Sequence, residues 1–177
     1  MLHLERLKTE HHPMYKDAMA LYDASFPYHE RRETKSQLRI LRDGEYHFTL
    51  LWDGDTFVGL ALYWDTESFI YIEHLCIVPQ LRGRRYGQQV LEMLTERGKP
   101  VILEIDPPLD EISVRRRGFY ERNGFVENPH AHTQPPFHRG ECEHPLVIMS
   151  SPEVLSQAEY DRFRQYQRSR VMADVFD

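Results

Sequence analysis

The chain is poor in cysteine, with Cys76 and Cys142 alone among 177 residues. Two thiols cannot build a secreted disulfide framework, and the first lies in an apolar run that reads as a buried strand, so a reducing compartment is expected. Long hydrophobic runs are also missing. No segment approaches the roughly 18 apolar residues of a membrane span, and residues 1–8 lack an apolar stretch of signal-peptide length. A cytoplasmic protein without a membrane partner is the expectation. Positive charge is in deficit too: 22 Lys plus Arg stand against 28 Asp plus Glu, a formal charge of -6. Coating nucleic acid requires an excess of cations facing phosphates, so no nucleic-acid partner is expected. Neither an internal repeat nor a low-complexity tract is present. What remains is a chain with 41% apolar and 12% aromatic residues, long enough to bury a core without staples.

The periodicity alternates between helix and strand. Met14, Ala18, Leu21 and Tyr22 fall at helical spacing before Pro27 breaks the pattern, and Thr34 is expected to cap a second short helix carrying Leu38 and Leu41. From Tyr46 the period becomes two. Asp53-Gly54 marks a turn, residues 56–64 resume as the hairpin partner, and residues 69–78 read as a central strand covered on both faces. A helix over 86–97, a buried strand over 101–105 and a helix over 111–123 follow, the last ended by Gly124. Phe125-Val126 and residues 146–149 supply the last strands. The Pro- and His-rich stretch 128–145 reads as a long surface loop. Ser156 and Glu159 form a capping-box pattern, opening a helix whose Tyr160, Phe163 and Tyr166 face the sheet or, in a homodimer, a second subunit.

Two segments carry chemistry. After the central strand, Gln80-Leu81-Arg82-Gly83-Arg84-Arg85-Tyr86-Gly87-Gln88 runs through a glycine-bearing turn into a helix. The first N–H groups of a helix have no internal acceptor, and with Arg82, Arg84 and Arg85 beside them they suit an anion such as a pyrophosphate; a solvated basic turn is the plain alternative. On the helix ending at Gly124, Tyr120 is either one more amphipathic aromatic or a hydroxyl able to give a proton to a leaving group.

The residues Tyr71-Ile72-Glu73-His74-Leu75-Cys76-Ile77-Val78-Pro79, the basic loop 80–87, the strand 101–105 and Arg117-Gly118-Phe119-Tyr120-Glu121-Arg122-Asn123-Gly124-Phe125, in that order, resemble the GNAT superfamily of acetyl-CoA-dependent N-acetyltransferases. The stretch 25–32 is similar to the substrate-side loop of bacterial members. The resemblance implies an α/β (α+β) fold: a mixed, twisted central sheet of about seven strands flanked by helices, with the transferase-like domain over 1–151 and a C-terminal helical tail over 152–177. It implies acetyl-CoA as co-substrate, with Arg82, Gly83, Arg84, Arg85, Gly87 and Gln88 around its phosphates, the main chain near Ile77 along its pantetheine arm, and Tyr120 as acid for the departing thiolate. Arg85 stands where the family has a small residue.

A free ammonium has a pKa near 10, so a base or relay must take its proton. Glu73, read on the same strand face as Leu75 and Ile77, leads as the base. Glu104 competes, with Tyr71 and His74 as relays, and an ion pair with an arginine is the structural alternative for both carboxylates. Cys76 is expected to face away from Glu73. His130, His132, His138, Cys142 and His144 match no zinc spacing, so no metal is expected. The acceptor is read as a small amine or a protein amine, with a cationic one suggested by the acidic balance. A non-catalytic module of the same fold, holding CoA or another nucleotide, is the competing reading.

Overall fold

The computed structural model describes residues 1–176. Strand β1 (Leu2–Leu7) is followed by α1 (Tyr15–Ser25) and α2 (Thr34–Ile40). Three antiparallel strands come next, β2 (Tyr46–Asp53), β3 (Thr56–Asp65) and β4 (Ile70–Ile77). Helix α3 (Tyr86–Thr95) crosses over to β5 (Val101–Ile105), and α4 (Glu111–Arg122) leads to β6 (Val126–Glu127), β7 (His132–Gln134), β8 (His144–Ser151) and α5 (Gln157–Tyr166). The order across the sheet is β1-β2-β3-β4-β5-β8-β6, with β7 pairing beside β8. The mixed sheet expected from sequence is therefore present, β7 being a short additional strand. Among the described residues no helix is long and apolar enough to cross a membrane.

Alternation along the strands sorts the core onto two faces. Tyr22 of α1, Leu41 after α2 and Tyr160 and Phe163 of α5 pack with Trp64 and Tyr71 on one face. Val90, Leu91 and Leu94 of α3 and Phe119 of α4 pack with Ile72, Leu103 and Phe125 on the other. Each fully buried aliphatic or phenylalanine side chain among them stabilises the fold by about 1.5–3 kcal/mol. The stripe of α5 thus covers this chain's own sheet, where Phe163 is fully buried and its ring meets Tyr71 at 5.1 Å. Ser156 and Glu159 form the expected reciprocal cap.

Four local expectations need correction. Thr34 does not cap α2. Glu33 occupies that position without a side-chain cap bond, and Gln37, fully buried, instead donates to the Tyr46 hydroxyl at 2.9 Å. The stretch 128–145 is no plain surface loop: it contains β7 and buries Asn128, His132, Phe137 and His138. Finally, Glu73 does not share a face with Leu75 and Ile77. Leu62 pairs His74 while Tyr63 pairs Ile72, so Glu73 is the extra residue of a bulge in β4. A bulge resets the alternation. Glu73 and His74 both turn toward the α1 side, where Cys76 also lies, while Leu75 and Ile77 pack on the α3 side. Cys76 therefore does not face away from Glu73. Strand β1 gave no clear signal because only Leu2 and Leu7 of its six residues are buried.

Candidate functional site

Strands β4 and β5 run parallel but pair only at Ile70↔Val101, Tyr71↔Ile102 and Ile72↔Leu103. Past the bulge they part, leaving the β5-facing edge of residues 73–77 without a strand partner. Three contiguous hollows follow this gap. The first, about 410 Å³, lies at the start of α3. The second, about 360 Å³, shares Ile77, Arg82, Gly87 and Phe119 with it. The third is a cleft of about 630 Å³ that shares Leu75, Arg116 and Tyr120 with the second.

The first hollow gathers Ile77, Arg82, Gly83, Arg85, Gly87 and Gln88 of the expected cofactor residues. Arg84 falls outside that lining, beside Tyr86. Gly83 adopts φ 81° and Arg85 φ 64°, both left-handed, and this turns the chain into α3 with no side chain capping the first N–H groups. The unpaired amides, with Arg82 and Arg85 lining the hollow, suit an anion. Arg82 Nε donates to the Ile77 carbonyl at 3.3 Å, anchoring the loop to the end of β4. Gly87 fulfils a packing requirement: a Cβ there would stand 3.2 Å from the Phe119 ring. The small position expected at 85 is explained as well, since left-handed backbone favours glycine.

Tyr120 stands where the second hollow meets the third. Its ring lies between Phe119 and Phe125, at 5.2 and 5.8 Å. Burial pushes its hydroxyl pKa up, with Arg116 pulling weakly the other way. The phenol therefore stays protonated at neutral pH and is able to donate.

The third hollow is acidic. Glu30, Glu73, Glu104, Asp106 and Glu141 line it against one arginine, Arg116. At its floor Glu73 Oε1 accepts from Arg32 Nη2 at 2.7 Å, both side chains being essentially without exposure, and Arg32 also donates to the Val171 carbonyl at 2.6 Å. Glu73 is thus in the arginine ion pair considered from sequence, and it lines the cleft at the same time. His74 Nε2 lies 2.8 Å from the Glu30 carbonyl. A carbonyl only accepts, so Nε2 carries the hydrogen; burial holds this ring below its usual pKa against the pull of Glu73, leaving Nδ1 a bare lone pair. Nδ1 stands 3.9 Å from Glu73 Oε2, and neither atom has a hydrogen-bond partner.

Glu104 is more fully engaged. Its Oε2 accepts from the Tyr71 hydroxyl at 3.2 Å, and its Oε1 accepts from His132 Nε2 at 2.7 Å and from Gln167 Nε2. Gln167 opens a wide turn over Gln167–Val171, closed by Met172 N donating to the Gln167 carbonyl at 2.9 Å. One turn of the tail therefore holds Glu104 through a side chain and Glu73 through Arg32. The histidines of 128–145 are used singly: His130 meets the Leu155 carbonyl, His138 meets Glu33 and the Tyr28 carbonyl, and His144 lies 3.5 Å from Asp106. Sequence reasoning gave no role to Asp106, His132 or Gln167.

The model of the acetyltransferase (GNAT) family matches residues 11–125. A solved structure of a GNAT-family protein from Bacteroides thetaiotaomicron is 31% identical, superposes with a TM-score of 0.89, and is covered over 98% of its length by 96% of this chain. Arabidopsis thaliana Naa50, solved with the bisubstrate analogue CoA-Ac-MVNAL, is 16% identical with a TM-score of 0.60 over 85% of this chain and 97% of that one, a likeness of fold. The curated relative YjbC of Bacillus subtilis (strain 168), named for acetyltransferase activity, is 29% identical over 69 residues. That match spans 37% of this chain and 35% of YjbC.

Proposed function

The chain belongs to the acetyltransferase (GNAT) family, and from that premise we propose that it transfers an acetyl group from acetyl-CoA to a primary amine, by direct attack within a ternary complex. The observation that carries the reading is the passage of adjoining hollows from a basic, amide-rich loop, past Tyr120, into an acidic cleft. An anionic nucleotide at one end and a cationic amine at the other suit those charges.

The phosphates of acetyl-CoA would lie against the amides and arginines of residues 82–88, as fits a loop turned by Gly83 and Arg85. The pantetheine arm would run along the unpaired edge of β4 near Ile77, pairing with the main chain as a neighbouring strand would. Its thioester then reaches Tyr120. The amine nitrogen attacks the thioester carbonyl carbon, a C–N bond forms, and the C–S bond breaks. Tyr120 gives its hydroxyl proton to the departing sulfur, and the proton shed by the amine passes to a carboxylate of the cleft. Glu73 is the first choice as that base, because its Oε2 is free of other donors whereas both oxygens of Glu104 are already engaged.

A binding module without catalysis would need the loop but not the cleft or Tyr120. Amine-dependent release of free thiol from acetyl-CoA separates the two. Steady release with at least one amine supports transfer, whereas CoA binding with no release from any amine supports the module.

A further inference from the structure

Two lone pairs face each other across the floor of the cleft. His74 Nδ1 and Glu73 Oε2 are both acceptors, 3.9 Å apart, buried and without a donor between them. Acceptors left in this way are costly, and a single group carrying two N–H bonds would satisfy both. A nitrogen about 2.8 Å from each, an ordinary hydrogen-bond length, spans that gap with its two bonds roughly at right angles. The floor is thus built for an ammonium or amine nitrogen.

The mouth of the cleft repeats the demand. Glu30 and Asp106 act on one another through space, and the Glu30 carboxyl is pushed above its usual range by burial and by the Asp106 charge. Arg116 reaches Asp106 at 3.1 Å, whereas the His29 ring, at 3.7 Å, is among the described residues the one group paired with Glu30, on which Arg116 and His144 act from farther off. Glu141 adds a third carboxylate to the same lining. The negative charge of the mouth exceeds what its own residues neutralise.

We infer that the acceptor is an amine with two cationic nitrogens, one seated between Glu73 and His74 and the other held at the mouth by Glu30 with Glu141. The inference rests on the transfer reading only for which nitrogen reacts; the nitrogen at the floor is the one near Tyr120 and the thioester. Glu30 is then the residue that selects for a second charge. An elongated diamine or an amino sugar bearing two amines has this chemistry, and a simple alkylamine has half of it.

The test is calorimetric titration of the intact protein, with CoA present and at low ionic strength, using α,ω-diamines of three to eight carbons and n-alkylamines of matching length. Charge-assisted hydrogen bonds of the ordinary strength predict an affinity about 10- to 100-fold higher for the best diamine than for its alkylamine. That preference should fall about tenfold in Glu30→Gln and measurably in Glu141→Gln, the latter altering only an exposed side chain. Equal affinities at every length overturn the inference. So does a preference that survives both substitutions. Selective diamine binding without thiol release from acetyl-CoA would uphold the two-cation site and contradict the transfer reading instead.

Discussion

Arg32 and Glu73 form an ion pair sealed from solvent, Nη2 to Oε1 at 2.7 Å, at the point where the β4 bulge opens the sheet. The pair holds one carboxylate oxygen of Glu73 and leaves the other, buried at the floor of the cleft, without a donor. Arg32 is itself fixed by the Val171 carbonyl, so a charge on the central strand is oriented by the last turn of the chain.

Removing one partner should cost far more than removing both. Arg32→Met strands a buried carboxylate and is expected to destabilise the protein by about 3–5 kcal/mol. Arg32→Met with Glu73→Leu should recover most of that loss while abolishing activity. Urea unfolding of both variants measures the difference, and equal stability of the two would show that the pair carries no coupling.

Arg85 is expected to set stability against cofactor affinity. A side chain at φ 64° costs roughly 1–2 kcal/mol that glycine avoids, offset in part by the greater freedom of glycine in the unfolded chain. Arg85→Gly should therefore raise stability by about 1 kcal/mol. The same change removes a solvent-exposed positive charge from the loop, which should weaken CoA by up to about fivefold, an effect that salt diminishes. Thermal unfolding and CoA titration at two ionic strengths measure the two signs.

Much of this architecture was legible in the sequence because it rests on local chemistry. The hairpin at Asp53-Gly54, the buried strand 101–105 and the reciprocal Ser156–Glu159 cap each depend on neighbours in the chain, and each formed as read. The basic loop announced itself likewise. The cleft did not, since a bulge arises from pairing between strands: the period-two pattern placed Glu73 with Leu75 and Ile77, and one unpaired residue reversed it. Contacts across long separations were equally silent. Glu104 meets Gln167 over 63 residues, and nothing near either position marks the other.

Gln167 tests the part of the tail in the site. Gln167→Leu deletes a buried hydrogen bond to the Glu104 carboxylate and should cost about 1.5–3 kcal/mol, with activity falling as Glu104 loses its fixed orientation. Gln167→Glu, which places two carboxylates together, should be worse. Unfolding curves beside turnover of the folded fraction separate the two effects.

The pH dependence of Glu30 has a definite sign. Its carboxyl is held above the usual range in the folded protein, so folding favours the protonated form. That contribution is present below the ordinary carboxylate range and is lost as pH rises through the folded value. Glu30→Gln should consequently raise the melting temperature at pH 7, with the advantage vanishing in acid. A diamine should raise the wild-type melting temperature more than that of the variant.

The central claim is that the passage joins acetyl-CoA to an amine at Tyr120. Its most direct test is thiol release from acetyl-CoA across a panel of amines, comparing wild type with Tyr120→Phe and measuring CoA affinity for both. Amine-dependent release by the wild type, lowered about 10- to 1000-fold in the variant at unchanged CoA affinity, is the predicted result. Unaltered turnover in Tyr120→Phe, or no release from any amine, would contradict the account.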